Sequence, residues 1–218
     1  MKRLAMVMVA ATLALTACGT RATQTLGPAP KGSPAVASPS PKATTPAKAA
    51  KSPKKQAPGS TVVRKSKSCG SVSGGSVEGF VAQLVDVRVG AHEGYDRVTF
   101  EFAPPNDGRY FGLPPYEINS ATPPITQDGS GDPVAVDGSS FAVMIMQGAS
   151  GVDLTADDYT ITYDGPKEFR PGYEALAEAT QTGDFEAVLS WAFGLNRGSC
   201  WTVLELKDPV RLAIDFQH

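Results

Sequence analysis

The sequence predicts a mainly β domain, an antiparallel β-sandwich with an inserted loop region, standing behind an export leader and a long unstructured tether. Three observations carry that prediction. Every Phe, Tyr and Trp lies at or beyond Phe80, apolar residues alternate with polar ones in run after run from there on, and Gly, Pro, Asn and Asp separate the runs. Residues 69 to 218 number 150, enough for one domain with a real core.

The leader comes first. Lys2 and Arg3 precede an uncharged run of 14 residues, Leu4 to Ala17, and then Cys18. A bilayer-spanning helix needs about 20 apolar residues. A basic start with a short apolar stretch describes a secretory signal peptide, residues 1–17. Leu15 to Cys18, "LTAC", is similar to the bacterial lipobox, which implies acylation of Cys18 as the new N-terminus. Two acyl chains suffice for stable anchoring. The expected location is the outer face of the bacterial cytoplasmic membrane, lipid-anchored and reaching into the wall.

Residues 18–68 are expected to be the lipidated cysteine and a disordered Pro/Ala/Lys-rich tether. From Gly19 to Ser68 there is no Asp, no Glu and no aromatic residue, so little apolar surface is available to offset ordering entropy. Such a tether stays extended at up to about 3.1 Å per residue. Twelve of the 20 basic residues precede Cys69, leaving eight against all 22 acids, so residues 69–218 carry −14. An exported chain with so acidic a domain excludes nucleic acid as a partner class.

With Cys18 assigned to lipid, Cys69 and Cys200 remain in a thiol-poor compartment where disulfides persist. Their pairing is expected, the alternative being two independent buried thiols. No C-x-x-C spacing suggests zinc. A bridge across so long a loop is worth roughly 4 to 5 kcal/mol in the chain-entropy model.

The strands follow in order. Val85, Val87 and Val89 alternate with Leu84, Asp86 and Arg88; Val98, Phe100 and Phe102 alternate with Thr99 and Glu101. The intervening "GAHEGYD" is their turn, with Gly94 supplying a permissive backbone, His92 and Glu93 facing water, and Arg88 and Glu101 as cross-strand partners. "SSFAVMIMQGA" and "DYTITY" are further predicted strands. "YEALAEATQT" has helical propensity but leads into the next run through only Gly183 and Asp184, which favours a strand. "DFEAVLSWAFGL" puts Phe185, Ala187, Leu189, Trp191, Phe193 and Leu195 on one face as the longest predicted strand. "CWTVLELKDPVRLAIDF" alternates, turns at Lys207 to Pro209, and alternates again as a closing hairpin.

"VDVRVGAHEGYDRVTFEF" at Val85 to Phe102 and "KDPVRLAIDF" at Lys207 to Phe216 resemble the first hairpin and the last strand of AMIN and AMIN-like domains of bacterial envelope proteins. The resemblance covers about Phe80 to Phe216. It implies a compact β-sandwich that targets the envelope and binds peptidoglycan without catalysing a reaction. An AMIN domain is nearer a hundred residues long, so Pro104 to about Gly138 is expected to be an insertion.

Catalytic and metal chemistry find little support in the residues. The histidines are His92 and His218, in no H-E-x-x-H or H-x-H arrangement, and no G-x-S-x-G turn occurs. Among 22 acids nothing selects a glycosidase pair. Asp128, Ser130 and Asp132 occupy the first, third and fifth positions of a calcium loop, but Pro133 stands at the sixth and Ser139 at the twelfth. Asp153, Asp157 and Asp158 are expected in a solvated turn. The expectation is a protein that is not an enzyme and has no cofactor or metal. Its partners are then the membrane, through the lipid anchor, and a wall glycan or peptidoglycan; the alternative is a docking module that recruits a wall enzyme or secretion component. Rings that could stack on a sugar are Tyr110, Phe111 and Tyr116, in the Gly/Pro-rich "GRYFGLPPYEI", and Trp201.

Overall fold

The computed structural model describes residues 61–76, 79–104, 112–198 and 200–218. The leader, Cys18, most of the tether, Tyr110 and Phe111 lie outside the described residues. The strands are β1 (Thr61–Ser68), β2 (Ser71–Gly74), β3 (Ala82–His92), β4 (Tyr95–Ala103), β5 (Tyr116–Ala121), β6 (Ile125–Thr126), β7 (Pro133–Val134), β8 (Ser140–Gln147), β9 (Ala149–Ser150), β10 (Glu168–Phe169), β11 (Leu176–Phe185), β12 (Val188–Leu195), β13 (Trp201–Lys207) and β14 (Val210–Gln217). They form a β-sandwich of two six-stranded sheets, ordered β1-β13-β14-β4-β3-β9 and β10-β11-β12-β8-β5-β2, with β6 and β7 as a small separate ladder. All pairings are antiparallel except the short β3–β9 contact.

The two framing hairpins build the first sheet. β3 and β4 close on the pair His92–Tyr95, so Glu93 and Gly94 alone make the turn, Gly94 at φ 83°. Arg88 pairs with Glu101 across them, Nη2 to Oε2 at 2.7 Å. The expected phase of β3 needs one correction. The register shifts between Leu84 and Asp86, so Leu84 and Val87 are both buried and Val85 is the extra residue of a β-bulge. β14 pairs with β4 along its whole length, aligning Leu212, Ile214 and Phe216 with Phe100, Val98 and Asp96. The core fills between the sheets with Phe100 edge-on to Trp191, centroids 5.4 Å apart, and Phe193 5.2 Å from Phe216.

Residues 173–182 do contribute a strand, β11, but the turn that follows is displaced from Gly183–Asp184. Phe185 pairs with Val188, and Glu186 and Ala187 turn the chain at φ 49° and 61°. Leu189, Trp191, Phe193 and Leu195 share the buried face as expected, whereas Phe185 is 69% exposed. The competing interaction is local: Asp184 accepts from Ser150 Oγ at 2.7 Å and Gly151 N at 2.9 Å, and the Ala187 carbonyl accepts from Gly148 N at 2.7 Å. These bonds seat the hairpin end on the β8–β9 connection.

Three further expectations change. "DYTITY" forms no strand; Ile161 makes an isolated bridge to Val152, and Tyr159 has a φ of 49° that breaks an extended run. The region Pro104 to Gly138 is not a mere loop, because β5 is an interior strand of the second sheet between β8 and β2. Residues 122–138 fold over the outside of β11 and β12: Asp128 accepts from Ser190 Oγ, Asp137 N donates to Glu178 at 2.8 Å, and a Cβ at Gly194 would overlap the Asp137 carbonyl oxygen. Finally, described strand structure reaches upstream of Cys69, into the expected tether, as far as Thr61. Thr61–Ser68 pairs with β13 from Lys207 to Trp201, since β-branched Thr61, Val62 and Val63 suit the otherwise open edge of that strand.

Cys69 and Cys200 are joined across 131 residues, at the point where the chain leaves β1 in the first sheet for β2 in the second.

Candidate functional site

The side of the sandwich closed by β1 and β2 carries a groove of about 500 Å³ lined by Arg64, Ser73 to Gly75, Pro115 to Glu117, Ile145 and Gln147. That volume lies in the range of small-ligand sites, about 300–1,000 Å³. Register places Ser73, Glu117 and Ile145 side by side on the outer face of the second sheet. Glu117, Gln147 and Ile145 are exposed, so a carboxylate, an amide and an aliphatic chain line one surface.

Beneath it Glu205 acts as a clasp between sheets. Glu205 points inward from β13 on the same side as Trp201 and Val203, and its side chain is 12% exposed. Its Oε1 accepts from Arg64 Nη1 at 3.2 Å, from Gly75 N at 3.1 Å and from the Tyr116 hydroxyl at 2.9 Å. Arg64 Nη2 also donates to the Ser73 carbonyl at 3.0 Å, joining the two edge strands. Gly75 has φ 66°, and a Cβ there would collide with the Pro114 carbonyl. Burial first, then the Glu205 carboxylate, pushes the Tyr116 hydroxyl far above its ordinary value, so it remains a donor at every physiological pH.

The rings expected to contact a ligand fare differently. Trp201 is 2% exposed and packs edge-on to Phe216, and Tyr116 is 3% exposed. Neither offers a face to a sugar; Tyr116 lines the groove as part of its floor. The Trp201 ring occupies the inward row of β13 with Val203 and Glu205, while Thr202 and Leu204 face out. Tyr110 and Phe111 lie outside the described residues. Arg64 lies in the Lys-rich segment whose composition reads as tether, so sequence alone does not mark it. Glu205 did carry a signal: a carboxylate in an inward strand position requires a partner.

At the start of β4, His92 and His218 make separate contacts and form no catalytic machinery. His92 stacks on Tyr95, centroids 4.8 Å apart. Burial and, next, Arg97 lower the His92 pKa below its ordinary value. Asp96 is buried and accepts from Ala175 N at 2.7 Å and Leu176 N at 3.0 Å, a tie between the sheets. His218 turns Nε2 toward Asp96 at 3.7 Å and Nδ1 toward Glu174 at 3.1 Å. Its two nitrogens face different carboxylates, so the three groups do not converge on one ion. Arg97 grips Asp215 through Nε and Nη2 at 2.5 and 2.8 Å. Among the described residues no three His, Cys, Asp or Glu side chains are grouped to hold a metal. The "DGSGD" aspartates serve a turn, Asp128 N donating to the Thr182 carbonyl at 3.0 Å. Elsewhere, desolvation raises the Glu178 pKa, against the lowering effect of Asp137 N–H and Arg170.

A model of the AMIN-like domain matches residues 82–218 in one span, from the first core residue of β3 to the C-terminus. The chain belongs to the AMIN-like domain family. AMIN-like domains are typically extracellular or periplasmic, and the family carries a peptidoglycan-associated envelope role. The match runs through 104–138, in keeping with β5 as an integral strand of the AMIN-like sandwich, and it leaves β1 and β2 upstream of the matched span. No curated protein and no solved structure gives a significant match.

Proposed function

We propose that the chain is a non-catalytic envelope lipoprotein, anchored through Cys18, whose AMIN-like domain binds a cell-wall component, peptidoglycan, in the groove beside β1 and β2. The observation that carries this reading is the groove itself. A carboxylate, an amide, a hydroxyl and aliphatic surface stand together over a floor fixed by the Glu205 clasp. Amino sugars present hydroxyls and an acetamide around apolar ring faces, and such a lining complements them. The basic, Pro-rich segment would give the domain reach from the membrane into the wall.

The test is co-sedimentation of the full chain with purified sacculi stripped of protein and secondary polymers, at physiological salt. Retention is expected, and Glu117→Ala with Gln147→Ala should weaken it without changing thermal stability, because both side chains are exposed. Absence of wild-type retention would turn the account to the second reading, a docking module for a wall enzyme or secretion component. That reading has one observation in its favour: Tyr159, Ile161 and Phe185 are 66, 67 and 69% exposed.

A further inference from the structure

The outer face of the first sheet differs in charge from the rest of the domain. Residues 61–218 hold eleven basic residues against 22 acids. Register puts Lys65, Lys67, Arg88, Arg97 and Arg211 on this one face, with Asp86, Glu101 and Asp215 as the acids among its described strand residues. Its described strand residues therefore sum to +2, against a net −11 for residues 61–218 as a whole. All three acids are engaged. Arg88 holds Asp86 and Glu101, and Arg97 holds Asp215. Lys65, Lys67 and Arg211 are the surplus.

Arg211 is the unusual member. It is 6% exposed, and its Nε and Nη2 are buried with no hydrogen-bond partner among the described residues. Those two nitrogens form one edge of the guanidinium, the fork that Arg97 uses to hold both oxygens of Asp215. Glu101 sits opposite Arg211 in register, but its Oε2 is taken by Arg88. A desolvated guanidinium with an empty fork is unfavourable in the free protein. A two-oxygen anion would satisfy it, and the long apolar stem lets the head rise to meet one.

We infer that Arg211 is a carboxylate-binding site on the outer face of the first sheet, with Lys65 and Lys67 two strands away on the same face, which takes a stem-peptide carboxylate of peptidoglycan. The inference rests on the wall-binding reading and adds the chemical group that the wall must present. The groove and this face lie on opposite sides of the edge made by β1 and β2, and a wall polymer repeats its sugars and carboxylates along its length, so the two contacts can come from different repeats. A planar carboxylate reproduces the Asp215 arrangement at Arg97. Phosphodiesters of secondary wall polymers share the two-oxygen chemistry and are separated by the experiment.

The test compares the full chain and Arg211→Lys, which keeps the charge and removes the fork, on three preparations: native sacculi, sacculi stripped of phosphate polymers, and stripped sacculi whose carboxyl groups have been amidated. The wild type should bind the first two alike and the amidated sacculi roughly tenfold more weakly or worse. Arg211→Lys should show the same loss on stripped sacculi and no further loss on amidation. Because the fork is empty in the free protein, the substitution should leave the melting temperature level or raised, which a structural arginine would not do. As a readout free of substitutions, the Arg211 Nε–H resonance should shift with muramyl dipeptide and not with its amide. Equal wild-type binding to stripped and amidated sacculi, or undiminished binding by Arg211→Lys, overturns the site while wall binding stands. Binding to native sacculi alone assigns the ligand to phosphate and overturns the carboxylate. Binding to none removes both this inference and the wall-binding reading.

Discussion

Replacing Trp201 by Ala separates a core residue from a ligand platform. The indole is 2% exposed, edge-on to Phe216 with centroids 6.5 Å apart and planes at 64°, beside the Cys69–Cys200 bridge. Truncation would remove on the order of 150 Å² of buried apolar surface, about 4 kcal/mol at 25 cal/mol per Å², and the edge-on ring contact adds about 1 kcal/mol. One term opposes these: Trp201 Nε1 is buried without an acceptor, so deleting it relieves about 1 kcal/mol of desolvation. The net loss is about 4 kcal/mol, inside the usual range of roughly 3 to 5 for such a substitution. In a domain this size that lowers the melting temperature by about 10 °C. Urea unfolding and a thermal melt read it directly, with Trp201→Phe expected to restore much of the loss. A Trp201→Ala protein with wild-type stability and abolished sacculus binding would refute the reasoning and put the ring on the surface.

Tyr116→Phe removes one of three donors to Glu205 Oε1 and should cost about 1.5 kcal/mol by chemical denaturation, with Arg64 and Gly75 N still in place. The hairpin turn at Glu186 and Ala187 holds two side-chain-bearing residues at positive φ, so Glu186→Asn with Ala187→Gly should raise the unfolding free energy by about 1 kcal/mol or more, read as a higher urea midpoint at unchanged slope, the Ala187 carbonyl contacts being backbone. For His92 the folded pKa lies below 6.5, so the unfolded chain binds the proton first. Stability linked to it is full above 6.5 and declines as pH falls from there through the folded value. An NMR titration should place the His92 midpoint below 6.5, and His92→Gln should flatten that part of the stability profile; a midpoint above 6.5 would contradict the burial beside Arg97.

Much of the fold was legible because the central strands of the first sheet, β4 and β14, obey period two. Val98, Phe100 and Phe102, or Leu212, Ile214 and Phe216, state their buried side directly. The misplacements share a cause in interactions that alternation does not encode. The bulge at Val85 shifts the phase of β3, the carboxylate of Asp184 recruits Ser150 and Gly151 and moves a turn by three residues, and β1 is strand because β13 offers it an edge. Lysine-rich composition resembles a tether whether or not a neighbouring strand exists to pair with it. The site was the least legible part. Alternation cannot tell which face of a strand is inward until its neighbours are known, so period two alone does not put Trp201 and Glu205 on the inner row of β13. The groove joins Arg64, Ser73, Glu117 and Gln147 from four strands, a juxtaposition that only the sandwich closure creates.

The most direct test of the wall-binding account is an NMR titration of the full chain with soluble peptidoglycan fragments, reading the Ile145 δ1 methyl and the Gln147 side-chain amide against the Leu154 and Ile161 methyls. The account predicts saturable shifts at Ile145 and Gln147 and silence at Leu154 and Ile161. Shifts confined to Leu154 and Ile161, or none at any of these groups, would contradict it.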